Sequence, residues 1–237
     1  MEFFMMFWLP SICFLAFALN EIANPRGAFL GRVLWKGDPA GVGLTFDDGP
    51  HPEHTPRVFD ILDKYSVKAT FFVIGRHVRN HAHIVKEGAR RGHLMGNHTQ
   101  NHFRWMNFLP VEKIRAEITE CQDELERCVG YRPRFYRQPA GFRNPRIFGI
   151  LKRCGMSLAG WQARAFDTQR RNPDAIAATI LGKVRPGGVI LLHDGSDSRN
   201  DDRAPTLKAL PIIIEGLKDR GREFHTLDRL FGMEKRV

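Results

Sequence analysis

The sequence predicts an α/β protein arranged as a (β/α) barrel of about seven parallel strands rather than an open sheet, and three observations carry that reading. Apolar runs of roughly four to eight residues alternate with helical patterns of about ten or more, the order that right-handed βαβ units impose. The alternation recurs about seven times, enough to close a barrel. Polar clusters fall where the apolar runs stop, and in a barrel those strand ends converge on one rim.

Residues 27–39 read as a lead-in, with Val33-Leu34-Trp35 as a short edge strand. Val42 to Phe46 is the first core strand. Thr55-Pro56 has the form of an N-cap and first helical residue, opening a helix to about Tyr65 that packs through Val58, Phe59, Ile61 and Leu62. Lys68 to Gly75 is a nearly continuous apolar run, as expected of a strand covered on both faces. A helix over residues 80–91 stops at Gly92, and a strand follows from His93 to Asn97. Pro110 to Val129 is the longest helical pattern, with Ile114, Ile118, Cys121, Leu125 and Cys128 on one stripe. Arg134 to Arg137 is strand-like, Asn144-Pro145 opens a helix to about Cys154, and Met156 to Ala163 reads as a single strand. Asn172-Pro173 opens a helix to Val184, Gly188 to Leu192 is the most hydrophobic strand of the second half, and a helix from Ala204 to Arg220 precedes a strand from Phe224 to Leu227.

With 237 residues and 43% hydrophobic content, the chain can bury one substantial core. It divides into an apolar segment (1–22), a lead-in (23–41) and a catalytic domain (42–237). The net charge of +10 points to an anionic neighbour, either membrane phosphates or an acidic polymer. No zinc-finger spacing, RNA-binding aromatic signature or basic dimerising helix is present, which excludes nucleic acid. Residues 3–19 are apolar except for Ser11, a run that fits a short membrane anchor or the core of a signal peptide. Only Glu2 precedes it while Arg26, Arg32 and Lys36 follow, so an anchor would leave the catalytic domain on the cytoplasmic side. The alternative is an atypical export signal. Either way the chain is expected to be membrane-associated or exported in a bacterium. Outside the apolar run, Cys121, Cys128 and Cys154 are odd in number and lack paired spacing, which fits buried thiols rather than disulfides.

The chemistry centres on Gly43-Leu44-Thr45-Phe46-Asp47-Asp48-Gly49-Pro50, where a strand runs into two consecutive carboxylates and a turn. Like charges this close resist joint ionisation unless a cation binds one of them, although an N-cap followed by a turn aspartate would give the same letters. His98 and His102 follow another strand; if the segment turns helically, both rings face one way and can share a metal. With one aspartate they form a His-His-Asp facial set that leaves positions for water and a substrate oxygen. Adjacent strand side chains diverge, so Asp48 is assigned as ligand and Asp47 as general base. Arg137 could hold the Asp47 carboxylate by paired hydrogen bonds. His193 ends a buried strand and suits a general acid for a leaving nitrogen, oriented by Asp167 or by Asp194.

On these residues the chain resembles the polysaccharide deacetylase family, carbohydrate esterase family 4, with its NodB homology domain, over residues 42–230. The matching motifs are Thr45 to Pro50, Ala69 to Gly75, Gly96 to His102, Arg137 to Gly141 and Leu191 to His193. The resemblance implies a deformed, NodB-like barrel and one divalent metal, zinc or else cobalt, bound by Asp48, His98 and His102. It implies Asp47 as base, Arg137 as its holder and His193 as acid. The implied reaction removes an N-acetyl group from an N-acetylglucosamine-containing glycan or oligosaccharide, with a backbone N–H near Ala140 helping to hold the oxyanion and a pocket formed by Ala140, Gly141, Trp161 and Leu191. Two positions depart from the family pattern: Ala140 replaces an aromatic residue, and Thr168 follows Asp167 where tryptophan is usual. Both remove a flat wall for a sugar ring, leaving Trp161, Phe142 or Phe166 to shape the pocket. Basic residues at 76–83 and 199–203 could rim the site for an anionic substrate or a membrane surface. Two other functions fit the same residues: a deacylase or deformylase of a lipid-linked amino sugar, and an inactive carbohydrate-binding protein.

Overall fold

Nine short strands form one sheet among the residues that the computed structural model describes, which are Asn20, 31–196 and 202–233. The segment 1–22 apart from Asn20, Arg26, basic residue Arg199 and the last four residues of the 42–237 domain lie outside the described residues. The strands are β1 (Val33–Leu34), β2 (Gly41–Gly49), β3 (Thr70–Val73), β4 (Leu94–Asn97), β5 (Phe135–Tyr136), β6 (Ser157–Ala159), β7 (Ala163–Arg164), β8 (Val189–His193) and β9 (Glu223–His225). Their order is β1-β6-β5-β4-β3-β2-β8-β7, with β9 on β2, and all the paired strands are parallel. Around them lie α1 (His54–Lys64), α2 (Gly75–Asn80), α3 (Ala82–Arg90), α4 (Val111–Val129), α5 (Pro145–Cys154), α6 (Pro173–Lys183), α7 (Ala204–Lys218) and α8 (Leu227–Leu230).

The sheet is curled and open, a deformed (β/α) barrel whose gap the chain itself crosses. The run predicted as one strand, Met156 to Ala163, is divided: β6 pairs with β5, whereas β7 pairs with β8. Gly160-Trp161-Gln162 joins the two halves. The lead-in fills the other end of the gap, where Gly160 N–H donates to the Leu34 carbonyl at 2.9 Å and Val189 N–H to that of Trp35 at 3.1 Å. β1 is therefore an edge strand that also plugs the barrel.

Period-two alternation sorts side chains between two cores. Phe71, Ile190 and Leu192 face the helices, alongside Phe59 of α1 and Ile213 of α7. Phe72, Val189 and Leu191 face the interior, with Trp161 and with Leu227 and Leu230 of α8. Each such side chain contributes about 1.5–3 kcal/mol of burial, and both faces of β3 and β8 are covered.

Local chemistry explains where elements start and where expectations fail. Asn144 and Asn172 cap α5 and α6, their side chains accepting from Arg146 N–H and Ala175 N–H. Thr55 does not cap α1; it lies within the first turn, and its hydroxyl instead donates to Asp194 at 2.5 Å. The helix expected over residues 80–91 is two helices broken at His81, the first starting at Gly75. The last strand ends at His225, and Leu227 already belongs to α8. Cys121 is fully buried in the core; it, Cys128 and Cys154 are free thiols. Replacing the cap in Asn172→Ala should lower unfolding free energy by about 1 kcal/mol, read as a lower urea midpoint at unchanged slope.

Candidate metal centre

β2 carries Thr45 and Asp47 on its interior face, two residues apart, and both are buried. A regular strand would send Asp48 to the opposite face. Instead its φ is 72°, and the β2–β3 register shifts between Asp47 and Gly49. This bulge re-aims the side chain: Asp47 Oδ2 and Asp48 Oδ1 lie 3.7 and 3.3 Å from the same nitrogen, His98 Nε2. The expectation that the two carboxylates diverge is thus corrected. A glycine must sit beneath the bulge, because a Cβ at Gly195 would come within 2.3 Å of the Asp48 carbonyl.

His98 and His102 extend from β4 on a loop, not on the helical turn expected from their spacing; Thr99 and His102 both have positive φ. Asn97, Thr99 and Glu117 shape that loop. The Asn97 side chain accepts from Thr99 N–H at 2.9 Å and donates to the Ile118 carbonyl at 2.8 Å, while Thr99 Oγ1 accepts from His102 N–H at 3.0 Å. Glu117, buried on α4, accepts from Asn101 N–H at 2.8 Å and Asn101 Nδ2 at 2.6 Å.

Asp48, His98 and His102 offer three ligand atoms within 4.8 Å of one another, all buried. The donors suit a divalent cation. His98 Nδ1 lies 2.8 Å from the Arg137 carbonyl, which can only accept, so that nitrogen carries the hydrogen and Nε2 is left as the ligand atom beside Asp48. His102 Nε2 converges on the same oxygen, Asp48 Oδ1, at 3.1 Å. Burial works against the charged form of Asp48, but the imidazoles of His98, His102 and His193 around it hold its carboxyl well below the usual range. Burial likewise opposes a charge on His98, while the Asp47 and Asp48 carboxylates pull its pKa up, a preference for positive charge that a metal ion would satisfy.

Arg137 is wholly buried rather than solvated. Its Nη1 donates to Asp47 Oδ1 and Thr45 Oγ1, both at 2.7 Å, and Nη2 donates to the Gly160 carbonyl at 3.1 Å. The contact with Asp47 is therefore a single charged hydrogen bond and not the expected paired fork. The guanidinium also lies over the Phe72 ring at 4.1 Å.

Opposite, His193 Nδ1 lies 3.0 Å from Asp167 Oδ1, and its own N–H donates to Asp167 Oδ2 at 2.9 Å. Thr206 donates to the same Oδ2 at 3.1 Å. Burial opposes a charge on His193, but Asp167, with help from Asp48 and Asp47, pushes its pKa up to about 9. Asp194 does not serve His193: its carboxylate accepts from Thr55, and burial together with the charges of Asp48 and Asp47 pushes it up to about 7.

A cleft of 480 Å³ covers the centre, and Ala140, Gly141, Trp161 and Leu191 all line it. Gly141 is required there, since its φ is +73° and a Cβ would meet the Trp161 ring at 2.2 Å. Phe142 and Phe166 stand at the mouth, 42% and 40% exposed. The basic rim is largely occupied by structural contacts: Arg79 pairs with Glu124, Arg76 donates to the Asn101 carbonyl at 3.1 Å, and Arg203 is buried with Nε on the Gly195 carbonyl at 2.9 Å. Sequence patterns gave no signal for Thr206 or Glu117. They placed His77 only in a basic rim, whereas its Nδ1 donates to the Asp48 carbonyl at 3.2 Å across the bulge. Thr45 was legible as the first residue of the Thr45-to-Pro50 motif, but not as a partner of Arg137.

The family model described as polysaccharide deacetylase matches residues 36–159. A peptidoglycan-N-acetylglucosamine deacetylase of Bacillus cereus is 34% identical over 204 residues, covering 84% of this chain and 93% of its own. A chitooligosaccharide deacetylase of Bradyrhizobium is also 34% identical, over 82% of this chain and 93% of its own. The crystal structure of the Bc1960 peptidoglycan N-acetylglucosamine deacetylase superposes with a TM-score of 0.79 at 32% identity, covering 86% of this chain and 94% of that one. Together with the buried Asp-His-His set, these relationships establish that the chain belongs to the polysaccharide deacetylase family, carbohydrate esterase family 4, and is a metal-dependent amide hydrolase.

Proposed function

We propose that this hydrolase removes the N-acetyl group from an N-acetylglucosamine-containing glycan or oligosaccharide, with Zn²⁺ as its working metal. The observation that carries the reading is the convergence, in one cleft, of a metal set, an arginine-held aspartate and an aspartate-held histidine. The substrates named for the Bacillus and Bradyrhizobium relatives support the sugar class. A divalent cation held by Asp48, His98 and His102 would polarise the acyl carbonyl and acidify water.

The chain's own groups handle the protons. Arg137 occupies Asp47 Oδ1, leaving Oδ2 toward the metal ligands, where it can take a proton from the attacking water. His193 donates Nδ1–H to Asp167, so its Nε2–H is the proton available to the departing amine. Thr206 and the His193 backbone hold Asp167 in turn. The oxyanion is assigned to the backbone near Ala140, where a positive φ of 56° turns the peptide chain at the cleft. Trp161, Gly141 and Leu191 would enclose the acetyl group.

A second reading, deacylation or deformylation of a lipid-linked amino sugar at a membrane surface, is favoured by Phe103, Trp105 and Phe108. These rings are 49%, 71% and 81% exposed on the loop that follows His102. It would suit a membrane-associated or exported protein with an apolar N-terminus. No helix among the described residues is long and apolar enough to cross a membrane.

Mass-spectrometric product analysis of the zinc-loaded chain decides between the two. Loss of acetyl from soluble N-acetylglucosamine oligomers supports the first reading, and turnover restricted to lipid-linked sugars would replace it with the second. Asp47→Asn should cut kcat roughly 10²- to 10⁴-fold while metal content stays stoichiometric, whereas His98→Ala should lose both metal and activity; full activity in Asp47→Asn would sink the base assignment. Because Asp167 raises the His193 pKa, the alkaline limb of the kcat profile should lie near 9 and move to lower pH in Asp167→Asn. An unmoved limb would remove His193 from the acid role.

A further inference from the structure

The cleft over the metal centre continues past Trp161, Arg164 and Phe166 into a second groove, also 480 Å³, whose lining adds Lys183 and Arg185. The β7–β8 register sets Arg164 opposite Leu191, which lines the catalytic cleft, so Arg164 stands where the two spaces meet. Its guanidinium lies 4.0 Å from the Phe166 ring centroid and 5.7 Å from that of Trp161. Aromatic faces take the flat side of a guanidinium and leave its N–H edge for an acceptor.

Among the described residues no carboxylate lines the groove, and none pairs with Arg164, Lys183 or Arg185. Arg185 Nη1 donates only to the neighbouring carbonyls of Gly182, at 2.9 Å, and Val184, at 3.2 Å. Burial pushes the pKa of both Arg164 and Arg137 down, but only at Arg137 does a carboxylate, Asp47, partly oppose it. A neutral sugar polymer needs stacking walls and hydrogen-bond partners, yet one face of Phe166 is already given to a cation.

We propose that this groove is an anion subsite that receives a carboxylate or phosphate group carried by the substrate beside the acylated amino sugar. Arg164 is its charged hydrogen-bond donor, and Lys183 and Arg185 supply the surrounding positive field. The inference rests on the deacylase reading above and narrows it to acidic substrates.

The test uses three oligosaccharides that differ in one substituent: a neutral N-acetylglucosamine oligomer, the same oligomer with an ether-linked carboxylate, and the same with a phosphate ester. Binding by calorimetry and deacylation by mass spectrometry are measured in parallel on the zinc-loaded full chain. An acidic oligomer should be preferred over the neutral one by about tenfold, and whichever acid gains identifies the group recognised. The preference should fall to near one in Arg164→Met, partly survive in Arg164→Lys, weaken in Lys183→Met, and fade with added salt. A merely structural role for Arg164 would lower binding of neutral and acidic oligomers alike. Equal handling of all three by the wild-type chain, or a preference untouched in folded Arg164→Met, overturns the subsite. If acidic oligomers bind through Arg164 but none is deacylated, the subsite stands and the deacetylase reading falls.

Discussion

Asp47 and Asp48 are neighbouring carboxylates buried at the end of the central strand, and most of the site consists of groups that make their burial tolerable. Two such charges cannot stay ionised in an apolar interior without compensation. Arg137 answers one, and the imidazoles of His98 and His102 converge on the other. A third carboxyl close by, Asp194, is pushed up to about 7 by burial and by those same charges, with a hydroxyl from Thr55 as its donor. In the proposed reaction a cation held by Asp48 would serve as a Lewis acid, and Asp47 would serve as the base.

The barrel makes that compensation geometrically possible. Parallel strands deliver Asp47 from β2, the histidine loop from β4, Arg137 just beyond β5 and His193 from β8 to the same rim. Rigidity then comes from the layers behind. α4 clamps the histidine loop through Glu117 and Ile118, α2 reaches across to the Asp48 carbonyl through His77, and α7 fixes Asp167 through Thr206. Asp47 and His193 thus sit on strand ends in a rim braced by helices, which limits their freedom to move.

The same architecture shows why positive charge in this protein is unevenly employed. Arg137, Arg79, Arg91 and Arg203 are committed to carboxylates or carbonyls. Among the described residues Arg164 is committed only to ring faces, and it stands at the junction of two grooves. Ala140 and Thr168, where the family resemblance leads one to expect aromatic residues, line the same cleft. A cation that stands against ring faces beside this cleft is the feature on which the proposed preference for acidic substrates rests.

The sequence by itself determined the alternating α/β plan, the helix starts at Asn144 and Asn172, the metal set and the family. These follow from short-range rules: side-chain periodicity, cap chemistry and motif spacing are all written in neighbouring letters. The tertiary structure decided what depends on residues far apart in the chain. It split residues 157–164 between β5 and β8, because the barrel closes only when that segment serves both edges. It turned Asp48 onto the face of Asp47 through a bulge that no local propensity announces. It chose Asp167 over Asp194 as the partner of His193, since a carboxylate adjacent in sequence points across the strand while one 26 residues earlier arrives on the same face.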